Sequence, residues 1–332
     1  FNSKFRFLID QNELLMQQLT QNKSNDNQLR YQGDSSQFAL IFFKNILLTI
    51  VTLGIYYPWA KVELLKFHSN STILKDNNFN FHGNAKDVLR SFLIVFLFIV
   101  IGYCLLFISI ANTNNITQAL LLIGAYFIFI ILIPLIIHGT IKYRCQKTSW
   151  KGVQFNYLGS KSELFWKFIS GVLITILTLG IYTPWFITEL RRYLIGHLRF
   201  GNLSFEFQGD GAKLFWIQFK FILLYPLTLG IYTFWYIKEL FEFYIDNIEV
   251  TQNETKTHLK LSVKVGDIFS LYIVNFALII FSLGIATPWV IIRTYTALTS
   301  FIEIDEQLKI SEIQQTNYKT EHEEGFLDFK LV

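Results

Sequence analysis

The chain has 332 residues, of which 52% are hydrophobic, 17% aromatic and only 16% charged, with a formal net charge of +4. Such a composition, with its charge gathered between long apolar runs, excludes a disordered chain and points to a membrane protein rather than an ordinary water-soluble domain. The small positive charge needs only anionic lipid headgroups as its explanation, and nucleic-acid-binding modules are absent.

Residues 1–28 form a polar N-terminal segment without an initiator Met or a signal peptide, too polar to insert, and the expectation is a trimmed or processed chain. From Leu29 a recurring unit begins. Leu29-Arg30-Tyr31-Gln32-Gly33 alternates apolar and polar residues and predicts a short half-buried strand. Asp34 can then cap a helix, and the apolar run Phe38–Tyr57 closes on Leu53-Gly54-Ile55-Tyr56-Tyr57-Pro58-Trp59. Glycine weakens the helix and proline forbids its normal continuation, so the helix is expected to end or bend within two residues of Gly54. The second unit starts at Phe79–Gly83 with Asn84 as cap and has two runs, Ser91–Ile110 and Gln118–His138, around an uncharged loop. Pro134 precedes Gly159 by the same interval as Pro58 precedes Gly83 and Pro184 precedes Gly209, and marks a degenerate copy of the break.

The third unit has Phe155–Gly159, the cap Ser160 in capping-box spacing with Glu163, the run Leu164–Tyr182, and the signature residues Gly180, Pro184 and Trp185. In the fourth, Phe205–Gly209 and Asp210 precede the run Leu214–Thr233 with Gly230 and Trp235; Phe234 replaces proline and predicts a milder bend. The fifth has Leu261–Gly266, Asp267, the run Ile268–Thr287, and Gly284, Pro288 and Trp289. Its two glycines, Gly266 and Gly284, stand closer together than the equally spaced pairs of the first, third and fourth units. Each signature tryptophan suits the headgroup layer. The fold expected is an α-helical polytopic membrane protein built of internal repeats, with short β-strands at the membrane surface. It comprises a repeated membrane domain over residues 29–304 and a charged tail over 305–332.

Each of the six runs is long enough, at ~1.5 Å per residue, to cross a ~30 Å core, and length alone favours six spans. Lysines and arginines then divide fourteen to twelve between the two faces and set no orientation. In an alternative, only the hairpin from Ser91 to His138 crosses, the other helices turn back at the Gly–Pro break, and all five strands join one sheet. That arrangement leaves only the uncharged loop Ala111–Thr117 on the far side.

The strand-Gly-cap start, the Leu-Thr-Leu-Gly-Ile-Tyr-Thr-Pro-Trp break and the following Leu190-Arg191-Arg192-Tyr193 segment resemble the YjgN-type family of bacterial inner-membrane proteins, a domain of unknown function. The resemblance runs from about Leu29 to about Ile304 and departs from the family pattern at Phe234, at Ala286 and around Pro134. It implies a multi-pass protein of the bacterial inner membrane and no established reaction.

Polar groups inside apolar runs are the pointers to function in a membrane protein. Lys44 and Lys220 lie at the same position, 11 residues after their strand glycines, and are candidate anion or lipid contacts, while Lys167 lies eight after Gly159; the plainer reading is that each lysine snorkels to the interface. Glu63, Glu189 and Glu239 recur after the signature with Lys66, Arg192 and Lys238 beside them, as a carboxylate site or, more simply, as solvated ion pairs. The six histidines have no metal-ligand spacing, the two cysteines Cys104 and Cys145 imply no disulfide framework, and phosphate loops and nucleophile elbows are missing. The expectation is therefore no catalytic residue, cofactor or metal, with the bilayer and other membrane proteins or a second copy as partners. A scaffold fits these features, and a transporter is the alternative, since broken helices at equivalent positions are its sign. Only Asn45, Thr49, Thr175 and Asn275 are polar at mid-run, which favours the scaffold.

Overall fold

The computed structural model describes residues 28–111 and 114–316. Among these residues one succession occurs five times: a strand, a helix leading away, a helix coming back, and a strand pairing antiparallel with the first. The first comprises β1 (Leu29–Tyr31), α1 (Ser35–Val51), α2 (Tyr57–Ser71) and β2 (Thr72–Leu74). The second comprises β3 (Asn77–Phe81), α3 (Ala85–Ala111), α4 (Asn115–Lys147) and β4 (Thr148–Trp150). The third has β5 (Val153–Tyr157), α5 (Lys161–Leu177), α6 (Thr183–Gly196) and β6 (Leu198–Phe200). The fourth has β7 (Leu203–Phe207), α7 (Gly211–Leu227), α8 (Thr233–Asp246) and β8 (Ile248–Gln252). After β9 (Thr255–His258) the fifth follows, with β10 (Lys260–Leu261), α9 (Val265–Phe281), α10 (Thr287–Ser300) and β11 (Ile302–Glu303).

Strands β1 to β9 form one antiparallel sheet in sequence order, and β10 with β11 forms a separate pair. Because Tyr31 pairs with Thr72, Phe81 with Thr148, Tyr157 with Leu198, Phe207 with Ile248 and Leu261 with Ile302, every helical hairpin starts and finishes at a sheet. This overturns the expectation of six spans. The runs Phe38–Tyr57, Leu164–Tyr182, Leu214–Thr233 and Ile268–Thr287 are outgoing arms of 17-residue helices, about 25 Å long, after which the chain returns to the side it came from. Two helices, α3 with 27 residues and α4 with 33, are long and apolar enough to cross a membrane. The helices thus form one long and four short hairpins, and the fifth strand stands outside the main sheet.

The reversal has one construction in all four short hairpins. Leu53, Leu179, Leu229 and Leu283 hold φ of 49°, 51°, 49° and 52°, and the glycine after each holds 87° to 91°. The glycine N–H reaches back five positions, from Gly54 to the Thr49 carbonyl and from Gly180 to the Thr175 carbonyl at 2.8 Å, which closes a Schellman turn with leucine in the left-handed position usually held by glycine. The Thr178 hydroxyl donates to the Ile174 carbonyl at 2.8 Å and accepts from the Tyr182 N–H at 3.1 Å, tying the helix end to the next helix start; Thr52, Thr228 and Ser282 receive the same backbone N–H. The turn at Gly230 matches the others, so the expectation of a milder bend at Phe234 is wrong. Leu-Gly makes the turn, and Pro58, Pro184 and Pro288 sit in the first turn of the returning helix, where a missing N–H costs nothing. Pro134 has no such Leu-Gly before it, only Ile131-Leu132-Ile133, and it lies inside α4 without ending it. The stretch from Gly83 to Pro134 is about twice that from Gly33 to Pro58, so the second hairpin extends roughly 20 Å beyond the other tips.

Gly33, Gly83, Gly159 and Gly209 each follow a strand whose last aromatic ring folds over them; a Cβ on Gly33 would meet Tyr31 Cε1 at 2.7 Å. Asp34, Asn84, Ser160 and Asp210 then accept N–H groups of the next helix, as expected. The fifth unit corrects the register. Ser262 N–H bonds the Phe301 carbonyl as Gln32 N–H bonds that of Ser71, so Val263 occupies the glycine position, as far before Gly284 as Gly33 is before Gly54. Gly266 lies inside α9, the cap is Lys264, and the Asp267 carboxylate accepts the Lys264 N–H at 3.1 Å. The shorter interval between Gly266 and Gly284 was a coincidence of a nearby glycine.

Register puts Leu74, Trp150, Val153, Phe200, Leu203 and Val250 on one apolar sheet face, where Leu308, Ile310 and Ile313 pack against them. Residues of the tail thus complete the core. Around it, α2 packs on α3, α4 on α5, α6 on α7, α8 on α9 and α10 on α1, so the five hairpins close a ring of contacts. The closing contact is aromatic: Tyr295 of α10 stacks on Tyr31 at 5.3 Å and on His68 at 4.4 Å.

Candidate functional site

Two levels of polarity mark the hairpins. In the first and fourth hairpins a lysine near the middle of the outgoing arm is met by a glutamate of the returning arm. Lys44 Nζ lies 2.5 Å from Glu63 Oε1 and Lys220 Nζ 2.6 Å from Glu239 Oε2, both pairs at the same sequence separation and part-exposed. Glu189 accepts from the Tyr182 hydroxyl at 3.0 Å, while Lys167 faces Glu163 at 3.8 Å. In the fifth hairpin Arg293 stands at the position after the turn glycine where the others carry glutamate, and donates to Asn275 Oδ1 at 3.2 Å. Lys44 and Lys220 are therefore neutralised within their own hairpins and do not meet each other. The expected neighbours Lys66 and Arg192 are not the ones engaged: Arg192 bonds the Gly209 carbonyl at 2.9 Å, and Lys238 pairs with Glu242. The equal interval from Lys44 to Glu63 and from Lys220 to Glu239 was the sequence signal that could have found the true pairs.

Beyond this level the outgoing arms carry no charged residue. At the tips Leu53, Leu179, Leu229 and Leu283 are 91–93% exposed, and Ile55, Ile181, Ile231 and Ile285 are 58–63% exposed. Trp59 and Trp235, at the base of the turns, stack on Tyr56 and Tyr232, and Trp185 stacks on Tyr182.

Between the first hairpin, the sheet and the base of α4 lies a cavity of about 800 Å³. Phe42, Ile46, Ile50, Leu64 and Leu65 form its apolar wall, and Lys61, His68 and Arg144 line it with no aspartate or glutamate among its lining residues. His68 accepts or donates at 2.7 Å to the Tyr31 hydroxyl; burial, then the Arg144 charge, lowers its pKa to about 4, so it is neutral near pH 7. Burial raises the Tyr31 hydroxyl above its ordinary value. Asn45, 4% exposed, lines the same cavity, and both its side-chain polar atoms lack a hydrogen-bond partner among the described residues. Of the mid-run polar residues, Thr49 also lines this cavity, while Asn275 is engaged by Thr294 and Arg293. Sequence reading named Asn45 but missed Lys61, His68 and Arg144, because nothing in their spacing shows that α2 and α4 converge.

Among the described residues no group of three or more His, Cys, Asp or Glu is placed to hold a metal, and Cys104 and Cys145 are free thiols. His82 contacts Ser149 Oγ at 2.9 Å and His197 the Tyr193 carbonyl at 2.7 Å; His322 lies outside the described residues. On the polar side of the sheet, Glu249 bonds Lys256 at 2.7 Å, which lowers its carboxyl pKa.

A family model described as "Bacterial protein of unknown function (DUF898)" matches residues 26–225 and 236–329. The chain is 26% identical over 186 residues to the inner membrane protein YjgN of Salmonella typhimurium, covering 56% of this chain and 45% of that relative. It is 26% identical over 160 residues to YjgN of Escherichia coli O157:H7 and 25% identical to that of strain K12, covering 48% of this chain and 37% of each relative. The matches thus span less than half the length of these curated relatives. No solved structure matches the chain.

Proposed function

We propose that this chain, which belongs to the DUF898 family of bacterial proteins of unknown function, is an integral inner-membrane protein that acts without catalytic turnover, as a scaffold immersed from one face of the bilayer. The observation that carries the reading is the hairpin tips. Four leucines in a left-handed conformation that side chains rarely adopt, each more than nine-tenths exposed and followed by an exposed isoleucine, are a poor surface for water and a suitable one for hydrocarbon.

Depth follows from the charges. From Lys44 to the tip at Leu53 is about 14 Å, close to one leaflet of a ~30 Å core, and the roughly 20 Å by which the second hairpin is longer carries it through the other leaflet. On this reading the four short hairpins are re-entrant and the long one spans, with the uncharged end of α3 on the far side. The ring of contacts supplies the protein partners that backbone turning within the bilayer requires. The five hairpins are copies of one repeated unit, the second lengthened at its tip. The name of the curated relatives agrees with the inner membrane.

The scaffold is supported by the internal pairing of Lys44 and Lys220, which leaves no charged path shared between these hairpins. Washing membranes with carbonate and cross-linking in gentle detergent test the two halves of the proposal. The protein is expected in the carbonate-resistant pellet and linked to a membrane protein or a second copy, with K44L/K220L leaving that link intact. Soluble release would end the membrane reading, and lysine-dependent flux of an anion in proteoliposomes would replace the scaffold by a transporter.

A further inference from the structure

Neighbouring hairpins of the ring are joined through the sheet at four boundaries, where β2 pairs with β3, β4 with β5, β6 with β7 and β8 with β9. The fifth boundary, between the last hairpin and the first, has no such ladder among the described residues, since β11 pairs with β10 and β1 with β2 only. Its helical side is closed by side chains. Ile292 of α10 joins Tyr31, Phe38 and Phe67 in one cluster, and Tyr295 stacks on Tyr31 and His68. A boundary without paired main-chain groups opens at lower cost than one with a ladder, so the ring has a seam.

The chain leaving β11 is held along its length. The Lys309 N–H donates to Gln252 Oε1 at 3.0 Å and the Lys309 carbonyl accepts from Gln252 Nε2 at 3.1 Å, so one buried amide engages both backbone groups of a residue as a strand neighbour would. Further on, the Gln314 N–H donates to Asn202 Oδ1 at 3.3 Å, and Gln315 Oε1 accepts the Gln154 N–H at 2.7 Å. Gly201, with φ of 54°, leaves room for this backbone: a Cβ there would meet the Gln314 carbonyl oxygen at 2.4 Å. Leu308, Ile310 and Ile313 are buried in one cluster with Leu74 of β2, and Leu29 of β1 packs against that cluster. The segment thus starts on the fifth unit's side of the seam, is bonded to the third and fourth units, and shares a core with the first.

We infer that residues 304–315 are a clasp that keeps the ring shut at this seam, and that freeing them loosens the fifth hairpin from the first before any other boundary opens. Side chains hold the clasp, at Gln252, Asn202 and Gln315, so it can leave without unpairing any strand of the nine-stranded sheet. Its release reaches the cavity of about 800 Å³, because Leu29 of β1 and Tyr295 of α10, on opposite sides of the seam, both line that cavity. The clasp is therefore a device that sets how far the cavity is closed on its seam side.

The test combines trypsin cleavage with amide hydrogen exchange, both on the full chain in a neutral detergent. Ile310→Asp places a charge where the native side chain is 1% exposed, and Ile310 stands outside the aromatic cluster of the seam. Lys309 offers trypsin a side chain that is 66% exposed on a backbone held by Gln252. Cleavage after Lys309 is expected to quicken about tenfold or more in Ile310→Asp, since a buried unpaired charge releases the segment. Exchange in peptides covering β1 and α10 is expected to quicken by about tenfold as well, while peptides of α5 and α6 stay within about twofold. Should Ile310→Asp fail to fold, Gln252→Ala removes both Lys309 contacts and is expected to give the same pattern more weakly. Unchanged cleavage in the variant that folds would show that these residues do not hold the segment. Faster cleavage with unchanged exchange at β1 and α10, or with an equal rise in all five hairpins, would show that the segment does not govern the seam. Each of these results overturns the proposal.

Discussion

Two glycine-to-alanine changes, Gly209→Ala and Gly266→Ala, should move stability in opposite directions. At Gly209 a Cβ would meet Phe207 Cε1 at 2.5 Å and Phe243 Cζ at 2.9 Å, far inside van der Waals contact. Neither ring can retreat into solvent, since Phe207 is 0% and Phe243 2% exposed. Overpacking of this kind costs about 1–3 kcal/mol, against which the stiffer unfolded chain returns only about 0.4–1 kcal/mol. At Gly266 no heavy atom lies within 4 Å, and the residue is already helical in α9, so alanine should gain about 0.5–1 kcal/mol. With roughly 2–4 °C per kcal/mol for a large domain, melting in detergent should fall by up to about 10 °C for Gly209→Ala and rise by roughly 1–4 °C for Gly266→Ala. Tryptophan fluorescence reads both. If Gly266→Ala falls as Gly209→Ala does, Gly266 is a strand-end glycine after all and the corrected register of the fifth hairpin is wrong.

Stability should also fall with acid through His68. Its folded-state pKa near 4 lies below the ordinary 6.5, so the folded protein binds fewer protons between those values; the contribution is complete above about pH 6.5 and is lost toward pH 4, by about 3 kcal/mol at most. His68→Phe, which keeps a ring against Tyr295, should flatten the dependence of melting temperature on pH, and an unchanged slope would assign the effect to other groups. Thr178→Ala should cost about 1–2 kcal/mol by removing the hydroxyl that joins Ile174 to Tyr182, whereas Thr178→Ser, which Ser282 imitates in the fifth hairpin, should be nearly neutral. A double-mutant cycle on Lys220 and Glu239 should give a coupling of about 0.2–1 kcal/mol, since the side chains remain 46% and 32% exposed; a much larger value would mean the pair is buried in hydrocarbon.

Local chemistry was the legible part of this fold. The alternation before Gly33, Gly83, Gly159 and Gly209 marked strands, and Asp34, Asn84, Ser160 and Asp210 marked helix starts, because both signals are written within a few consecutive residues. The direction of the chain after each Leu-Gly was not legible from run length. An apolar run of about 20 residues fits either a crossing or an arm with its turn. What decides is the pairing of β1 with β2, or of β5 with β6, across the whole length of the hairpin between them. Proline took the attention that belonged to threonine and leucine, since Thr178 and Leu179 act through a hydroxyl and a left-handed φ that a residue list does not display. The cavity was invisible for a related reason. Lys61 and Arg144 are far apart in sequence and meet only because α2 and α4 return to the same sheet.

One measurement bears most directly on the claim that four hairpins turn back within the bilayer and one crosses it. In a chain whose Cys104 and Cys145 are replaced by serine, single cysteines at Asn114, Leu179, Leu229 and Asn78 are offered a membrane-impermeant maleimide from each face in turn. The account predicts labelling of Asn114→Cys from one face only, of Asn78→Cys from the opposite face only, and of Leu179→Cys and Leu229→Cys from neither until detergent is added. Labelling of Leu179→Cys or Leu229→Cys from the face that reaches Asn114→Cys would contradict it, since those tips would then have crossed.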